Sequence, residues 1–261
     1  YPFLEFNCRW EHWASVMGKI FISAGHGGFE NGSLDFGVTV SNTTEATEMI
    51  RIRDLVVPEL RSRGFEVLSV PDDLSNAQTL NWINTRCQPD DVALEIHGGA
   101  ASSPGARGAS VFYIANNDVR QTHAELLLLA LVRRLPQLPS RGARPDTDTG
   151  TGSLSFTRQL TCPSLFMEVG YLTNPDDLGL IQNRRRDISL GIADGMASWS
   201  RAVASDASEV QGFPEINIMV NGGLYGEKGI IINNNSYVPI DLADQLGVDI
   251  ANDPNVRRVR Y

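Results

Sequence analysis

The chain has 261 residues, 42% of them hydrophobic, and a formal net charge of −9 at pH 7. This hydrophobic fraction supports a folded core and argues against disorder as the dominant state. The acidic balance argues against a general nucleic-acid-binding protein, because such proteins need a basic surface to neutralise phosphates. Cys8, Cys87 and Cys162 have no CxxC spacing, so neither a disulfide framework nor a cysteine-based zinc site is predicted.

Membrane and export signals are not expected from the sequence. No apolar run approaches the roughly 20 residues that span a bilayer, so no transmembrane segment is predicted. Residues 1–18 mix charged and aromatic side chains, which does not fit the apolar core of a signal peptide. We therefore interpret residues 1–18 as an N-terminal extension without a role in the fold, with Met17 as a natural start.

The first half of the chain alternates predicted strands and helices. Strands are predicted at three short apolar runs, Lys19–Ala24, Phe65–Val70 and Asp91–Ile96. Helices are predicted between them, over about Thr43–Arg63 and from Ser75 to about Cys87. Asn42 with Glu45, and Ser75 with Gln78, have the spacing of N-terminal caps. Pro58 predicts a kink or a break in the first helix, because proline lacks a backbone donor.

The second half continues this alternation and then changes in composition. The predicted order is a strand at Ala109–Ala115, a helix at Val119–Leu135, an exposed loop between Pro136 and Ser153, a strand at Ser164–Val169, a short helix from Asn174 and a closing helix from Asn183 to about Val203. This alternation predicts an α/β fold with a mostly parallel sheet and helices on both faces. We expect one domain over residues 19–203, a linker over 204–214 and a small α+β module over 215–261, the last with hairpins, a helix at Asp241–Leu246 and a strand at Val256–Val259.

Three side chains that can bind a metal or transfer a proton follow or end predicted strands. His26 lies on a glycine turn after the first strand, His97 has a similar turn, and Glu168 ends a third apolar run. Ligands in open α/β sheets gather at the carboxyl ends of the strands, so these groups are expected to lie close together. The pattern is typical of a zinc hydrolase.

A catalytic zinc site needs a third protein ligand besides the two histidines. Glu45 is favoured because it lies in the first turn of the helix after the His26 loop, where the helix start can lie over the sheet end. The weaker alternatives are Glu30, Asp35 and Glu48. Glu168 is then free to transfer protons.

These residues resemble the zinc-dependent N-acetylmuramoyl-L-alanine amidases of the type 3 group, which cleave peptidoglycan. The resemblance covers roughly Lys19 to Arg201. It is carried by Glu45 and by Ala24-Gly25-His26-Gly27-Gly28, Glu95-Ile96-His97-Gly98, Arg107-Gly108-Ala109, Val111-Phe112-Tyr113, Thr157-Arg158 and the string from Pro163 to Pro175, which is the most specific.

The resemblance implies that His26, Glu45 and His97 bind Zn²⁺ and that Glu168 is the catalytic acid/base. The bond cleaved would be the amide between the lactyl group of muramic acid and L-alanine of the stem peptide. Arg158 is interpreted either as a structural ion-pair partner or as a contact for a substrate carboxylate. Peptidoglycan as substrate implies action in the periplasm or cell wall.

Two positions depart from the family pattern. The family commonly has Asp-Pro before Gly-His, where this chain has Ser23-Ala24. It also commonly has a Ser-x-His-x-Asn string, where Glu95 and Gly99 stand here. The metal ligands themselves are kept, so the departures bear on the surroundings of the site and on substrate preference.

Other functions stay open at the level of sequence. The same set of metal ligands would also suit a zinc carboxypeptidase or endopeptidase acting on the stem peptide. A non-catalytic wall-binding component is a further alternative, which the presence of Glu168 disfavours. The segment from about Ile216 to Tyr261 resembles the small stalk domain of a copper amine oxidase, which implies attachment to the wall or to a protein partner.

Overall fold

The computed structural model describes residues 17–211 except 41, 104 and 151, and the backbone of segments 215–220, 223–232 and 235–237; side chains are described through residue 204. The chain divides into two compact units between Ser205 and Asp206. The predicted helix at Asp241–Leu246, the strand at Val256–Val259 and most of the N-terminal extension lie outside the described residues.

The first unit contains ten strands and six α-helices within the described residues. The strands are β1 Ile20–Ala24, β2 Phe29–Glu30, β3 Ser33–Leu34, β4 Thr39–Val40, β5 Thr43–Thr44, β6 Val67–Ser69, β7 Val92–Gly99, β8 Ala109–Tyr113, β9 Ser140–Pro145 and β10 Ser164–Tyr171. The helices are α1 Glu45–Ser62, α2 Asn76–Asn84, α3 Asp118–Arg134, α4 Ser155–Gln159, α5 Pro175–Asn183 and α6 Arg185–Gln211, which extends past the unit boundary.

Six strands form the central sheet in the order β6-β1-β7-β10-β8-β9. The first four are mutually parallel, and β8 pairs antiparallel with β10 and parallel with β9. The mostly parallel α/β sheet predicted from the sequence is therefore confirmed. Two short hairpins, β2-β3 and β4-β5, lie between β1 and α1.

The sheet has a larger core on one face and a smaller core on the other. The larger core joins strand residues such as Ile22, Leu94 and Met167 to apolar residues of α1, α3 and α6. The smaller core contains Phe21 and Ala93 with residues of α2 and α4. Because side chains alternate along a strand, Glu95, His97, Phe166 and Glu168 share the face of the smaller core, nearer the carboxyl ends of their strands.

The boundaries of α1 correct the predicted cap and exclude a break at Pro58. Thr44 caps the helix, its Oγ1 accepting a hydrogen bond from the backbone N–H of Thr47 at 3.2 Å, so Asn42 is not the cap. Pro58 lies within α1 without ending it. Buried Val56, Val57 and Leu60 flank the proline, and their packing offsets the loss of one backbone donor.

Strand β9 and the length of α6 are further differences from the predictions. Residues 140–145 were expected in an exposed loop, but they pair with β8 as an edge strand that ends at Pro145. An edge strand pairs on one side only, and the side chains of β9 are exposed or partly exposed. Residue composition is therefore a weak predictor of such a strand. Helix α6 continues to Gln211, so much of the expected linker over residues 204–214 is helical.

The predicted cap of α2 is confirmed, because Ser75 and Gln78 form a capping box at its start.

The second unit contains a three-stranded antiparallel sheet in the order β11-β12-β13. Its strands are β11 Glu215–Val220, β12 Gly223–Ile232 and β13 Asn235–Tyr237. Hairpins expected from the short β runs of this segment are therefore present. Among all described residues, no helix has both the length and the apolar character that crossing a membrane requires.

Candidate metal centre

His26 lies in the turn after β1, in a backbone conformation that few residues other than glycine adopt. Its φ is 67°, in the left-handed region, and Gly27 follows with a φ of 96°. Backbone hydrogen bonds hold the turn on both sides, from Gly25 N to Ile96 O at 2.8 Å and from Gly27 N to Asp35 O at 2.7 Å. Residues held in this region cluster at functional sites, because the surroundings must offset the strain.

Glu45 is the first residue of α1, and its carboxylate lies between the two histidines. Oε2 is 3.2 Å from His26 Nε2, and Oε1 is 2.9 Å from His97 Nδ1. The backbone N–H groups of Val38 and Gly98 donate to the same carboxylate, each at 3.0 Å. Both Glu45 oxygens are thus engaged, and the start of the helix also favours a negative charge.

The His97 ring is enclosed by its neighbours on the sheet. Phe166 stacks on it with ring centroids 4.1 Å apart and an interplanar angle of 18°. A Cβ on Gly25 would collide with the ring, so only glycine fits beside it. The ring of His26 meets that of His97 edge to face, with centroids 5.0 Å apart. The imidazole of His97 therefore has little freedom to rotate.

His26, Glu45 and His97 have the composition and spacing of a metal site. Each offers one ligand atom, and these atoms lie within 4.8 Å of one another. Ligands around a tetrahedral zinc ion with bonds of ~2.1 Å lie ~3.4 Å apart, so small adjustments would bring the three onto one ion. Two imidazoles and one carboxylate are a donor set that zinc uses in catalytic sites.

Strong electrostatic coupling links the three groups. Burial by itself would lower the pKa of His97, but contacts with Glu45 and Glu95 outweigh it and raise this pKa to about 10. For His26 too, the Glu45 carboxylate outweighs burial and raises the pKa. Burial would raise the pKa of Glu45, yet the two histidines hold it well below its usual range. A bound cation would take the place of the protons shared in this cluster.

Glu168 lies next to the cluster on β10. It is the register partner of His97 on β7. Burial raises the pKa of Glu168, and the negative charge of Glu45 adds to this, while His97, Arg141 and Arg144 oppose it. A half-buried carboxyl group with a raised pKa is suited to accepting and returning a proton.

The alternatives to Glu45 lie in other environments. Glu48 is buried and paired with Arg185 at 2.6 Å, and Glu30 accepts a hydrogen bond from the backbone N–H of Asn76 at 2.5 Å. Asp35 contacts the site, but at the far nitrogen of His26, with Oδ2 2.7 Å from Nδ1. The structure therefore brings Glu45, and none of these three, between the histidines.

Arg158 forms an ion pair with Asp146, which was one of its two predicted roles. Its Nε and Nη2 donate to the two oxygens of Asp146 at 2.5 and 2.8 Å. Asp146 is fully buried and also accepts from the backbone N–H groups of Ala115 and Leu154. This bidentate pair joins α4 to the turn after β9.

Two residues in contact with the cluster were not predicted to take part in the site. Gly37 has a φ of 61°, and a Cβ there would lie 2.5 Å from His26 Cδ2 and 2.7 Å from Glu45 Oε2. Glu95 lies beside His97, with Oε2 3.3 Å from Nε2. Gly37 is one of several loop glycines, but Glu95 carried a usable signal, since it stands two residues before His97 and therefore on the same face of β7.

A mostly parallel α/β sheet carrying a His/Glu/His cluster beside a half-buried carboxylate defines an α/β protein with a candidate metal-hydrolase site. Residues 20–198 match the Amidase_3 family, described as N-acetylmuramoyl-L-alanine amidase. Since the match covers well over half of the sequence, the chain belongs to this family.

Individual relatives agree with this assignment. The chain is 26% identical over 187 residues to "Probable cell wall amidase LytH" of Staphylococcus epidermidis, covering 70% of this chain and 59% of the relative. The chain thus spans about three fifths of the length of that curated relative.

Solved structures show the same fold. N-acetylmuramoyl-L-alanine amidase AmiC2 of Nostoc punctiforme aligns with a TM-score of 0.61 at 18% identity, covering 71% of this chain and 98% of that one. An N-acetylmuramoyl-L-alanine amidase from Clostridium difficile 630 aligns with a TM-score of 0.61 at 22% identity, covering 71% and 97%.

Proposed function

We propose that this chain is a zinc-dependent amidase that hydrolyses the bond between the lactyl group of N-acetylmuramic acid and L-alanine of the stem peptide. The observation that carries the proposal is the convergence of His26, Glu45 and His97, with Glu168 in register beside His97. Membership of the N-acetylmuramoyl-L-alanine amidase family supports the choice of substrate.

The zinc ligands in this proposal are His26, Glu45 and His97. Glu45 is buried and the two histidines are partly buried. The donor chemistry fits the ion, and the contacts from Glu45 to the two rings, 3.2 and 2.9 Å, are close to the spacing of zinc ligands. When bound, zinc would lower the pKa of a coordinated water to about 7 and polarise the amide carbonyl.

Glu168 serves as the acid/base. Its carboxylate accepts a proton from the attacking water and returns it to the nitrogen of the leaving L-alanine. The position of Glu168 on β10, in register with His97 on the neighbouring strand β7, supports this role. Its raised pKa makes the protonated form accessible for the second transfer.

The proposal includes the setting of the reaction. Peptidoglycan is the substrate, so action in the periplasm or cell wall follows. We assign catalysis to residues 19–203 and assign residues 215–261 to attachment to the wall or to a protein partner, joined by residues 204–214. Arg158 is not assigned to substrate, because Asp146 engages it on two nitrogens.

The test is digestion of purified peptidoglycan sacculi by the zinc-loaded protein. We expect release of amino termini on L-alanine and glycan strands that have lost their peptides. The Glu168→Gln variant should lose at least 100-fold in rate, because it cannot accept the proton, while binding zinc as the wild type does. Glu30→Gln removes a carboxylate outside the cluster and should retain full activity.

Mass analysis of the digested muropeptides separates the alternatives. Shortened or cut peptides on intact muramic acid would show a carboxypeptidase or an endopeptidase and contradict the amidase. Equal rates for the wild type and Glu168→Gln, or no release by either, would contradict the assigned catalytic role and favour a wall-binding component.

A further inference from the structure

Each imidazole of the metal cluster contacts a second carboxylate at the ring nitrogen that faces away from Glu45. His26 points Nε2 toward Glu45 at 3.2 Å and Nδ1 toward Asp35 at 2.7 Å. His97 uses the opposite nitrogens, with Nδ1 2.9 Å from Glu45 and Nε2 3.3 Å from Glu95. The two rings therefore present different nitrogens to Glu45, Nε2 in His26 and Nδ1 in His97.

The contact at His97 involves a nitrogen that has no other partner. Nε2 of His97 is buried and makes no well-aligned hydrogen bond within the described part of the chain, so a small adjustment is needed for Glu95 to accept from it. The Glu95 carboxylate is at ion-pair distance from it. With Phe166 stacked on the ring, Glu95 is placed to determine which nitrogen of His97 is available as a metal ligand.

Glu95 is in turn paired with Ser23 on the neighbouring strand. The two residues are register partners of β7 and β1, and Ser23 Oγ lies 3.5 Å from Glu95 Oε1. Ser23 is almost fully buried, and Glu95 is only 13% exposed at its side chain. The hydroxyl therefore faces the carboxylate in an enclosed space beside His97.

We propose that Glu95, supported by Ser23, is a positioning residue that orients His97 for metal binding through Nδ1. The inference rests on the proposed function, since it takes zinc as the ligand of the cluster. A carboxylate that accepts from Nε2–H selects the tautomer with a free Nδ1 lone pair and makes the imidazole a stronger ligand. Asp35 has the same relation to His26 through the other nitrogen.

The experiment measures zinc affinity by competition with a chromogenic chelator, independently of catalysis. Glu95→Ser should bind zinc 10- to 100-fold more weakly than the wild type, the range usual for partners of metal-bound histidines. Glu95→Gln keeps an acceptor but loses the charge, and its near-identical size protects the fold, so we expect a smaller loss. Thermal unfolding of zinc-free protein checks that each variant is folded.

Ser23→Ala tests the support that the hydroxyl gives to Glu95. It removes the group facing the carboxylate and should weaken zinc binding by less than Glu95→Ser does. Glu30→Gln is the matched control, because it removes one negative charge without touching an imidazole, and its affinity should equal that of the wild type.

Wild-type zinc affinity, within about twofold, in both Glu95→Ser and Glu95→Gln would overturn the positioning role. Wild-type zinc affinity in Ser23→Ala would overturn the supporting role of Ser23. The proposed function fails separately: a wild-type protein that binds zinc but releases no amino termini from sacculi contradicts the amidase and leaves the role of Glu95 intact.

Discussion

Glu45 shows how one side chain connects the elements of the site. It begins α1, contacts histidines from the β1 turn and from β7, and accepts backbone hydrogen bonds from Val38 and Gly98. Its place at a helix start was visible in the sequence, and that made it the favoured third ligand. The same sequence contains Glu30, Asp35 and Glu48 nearby, and only the turns between β1 and α1 decide which carboxylate reaches both rings.

Gly37 is a residue at which a single methyl group should disturb the cluster. Its φ of 61° is strained for alanine, and a Cβ would press on His26 and Glu45. We expect Gly37→Ala to lower the free energy of unfolding by about 1–2 kcal/mol and to weaken zinc binding at least 10-fold. Denaturant unfolding and chelator competition measure the two effects.

Gly32→Ala is the matched control for this prediction. Gly32 has a φ of 82°, but nothing lies within 4 Å of a Cβ there. The backbone penalty should be similar, while zinc affinity should stay at the wild-type level. Equal zinc affinity in Gly37→Ala and Gly32→Ala would show that the close approach at Gly37 does not matter for the site.

At the scale of elements, local patterns predicted the buried strands well and the edge of the sheet poorly. β1, β7, β8 and β10 are apolar runs in the interior of the sheet, where burial on both faces imposes composition. β9 lies at the edge, and its Ser-Arg-Gly-Ala-Arg-Pro sequence carries no such pattern. Pairing with β8, which is remote in sequence, makes it a strand.

The contact between α3 and α6 depends on small residues. A Cβ on Gly195 would lie 2.5 Å from Leu127 Cδ1 and 2.9 Å from Leu127 Cα. We expect Gly195→Ala to destabilise the fold by about 1–2 kcal/mol, since overpacking outweighs the gain in helix propensity. The measurement is denaturant unfolding.

Gly179 provides the comparison within another helix. Nothing lies within 4 Å of a Cβ at this position in α5, so Gly179→Ala should be stabilising by up to about 1 kcal/mol. If both alanine variants were stabilising, the contact with Leu127 would have room for a Cβ at position 195, and the prediction for Gly195 would be wrong.

At the scale of the whole molecule, buried carboxylates paired with arginines contribute to the dependence of stability on pH. Burial alone would raise the pKa of Asp146, but Arg158 and further donors outweigh it and hold this pKa below its usual value. The unfolded chain therefore binds the proton more readily than the folded protein. The resulting stabilisation is complete above about pH 4 and is lost as the pH falls through the lowered pKa.

Replacement of Asp146 tests this dependence. Asp146→Asn should lower the free energy of unfolding at pH 7 by about 1–3 kcal/mol, because charge-assisted hydrogen bonds to a buried carboxylate are lost. Its stability should also fall less steeply than that of the wild type below about pH 4. Denaturant unfolding between pH 7 and pH 3 measures both, and parallel pH profiles would contradict the assignment.

The sequence by itself determined the α/β class, the interior strands and the residues with metal-binding chemistry, because burial and glycine turns leave marks on local composition. Only the tertiary structure decided that Glu45 joins His26 and His97, that Arg158 pairs with Asp146, and that Ser23 faces Glu95. These relations cross strands and loops far apart in the chain. They depend on sheet order and register, which short-range patterns do not specify.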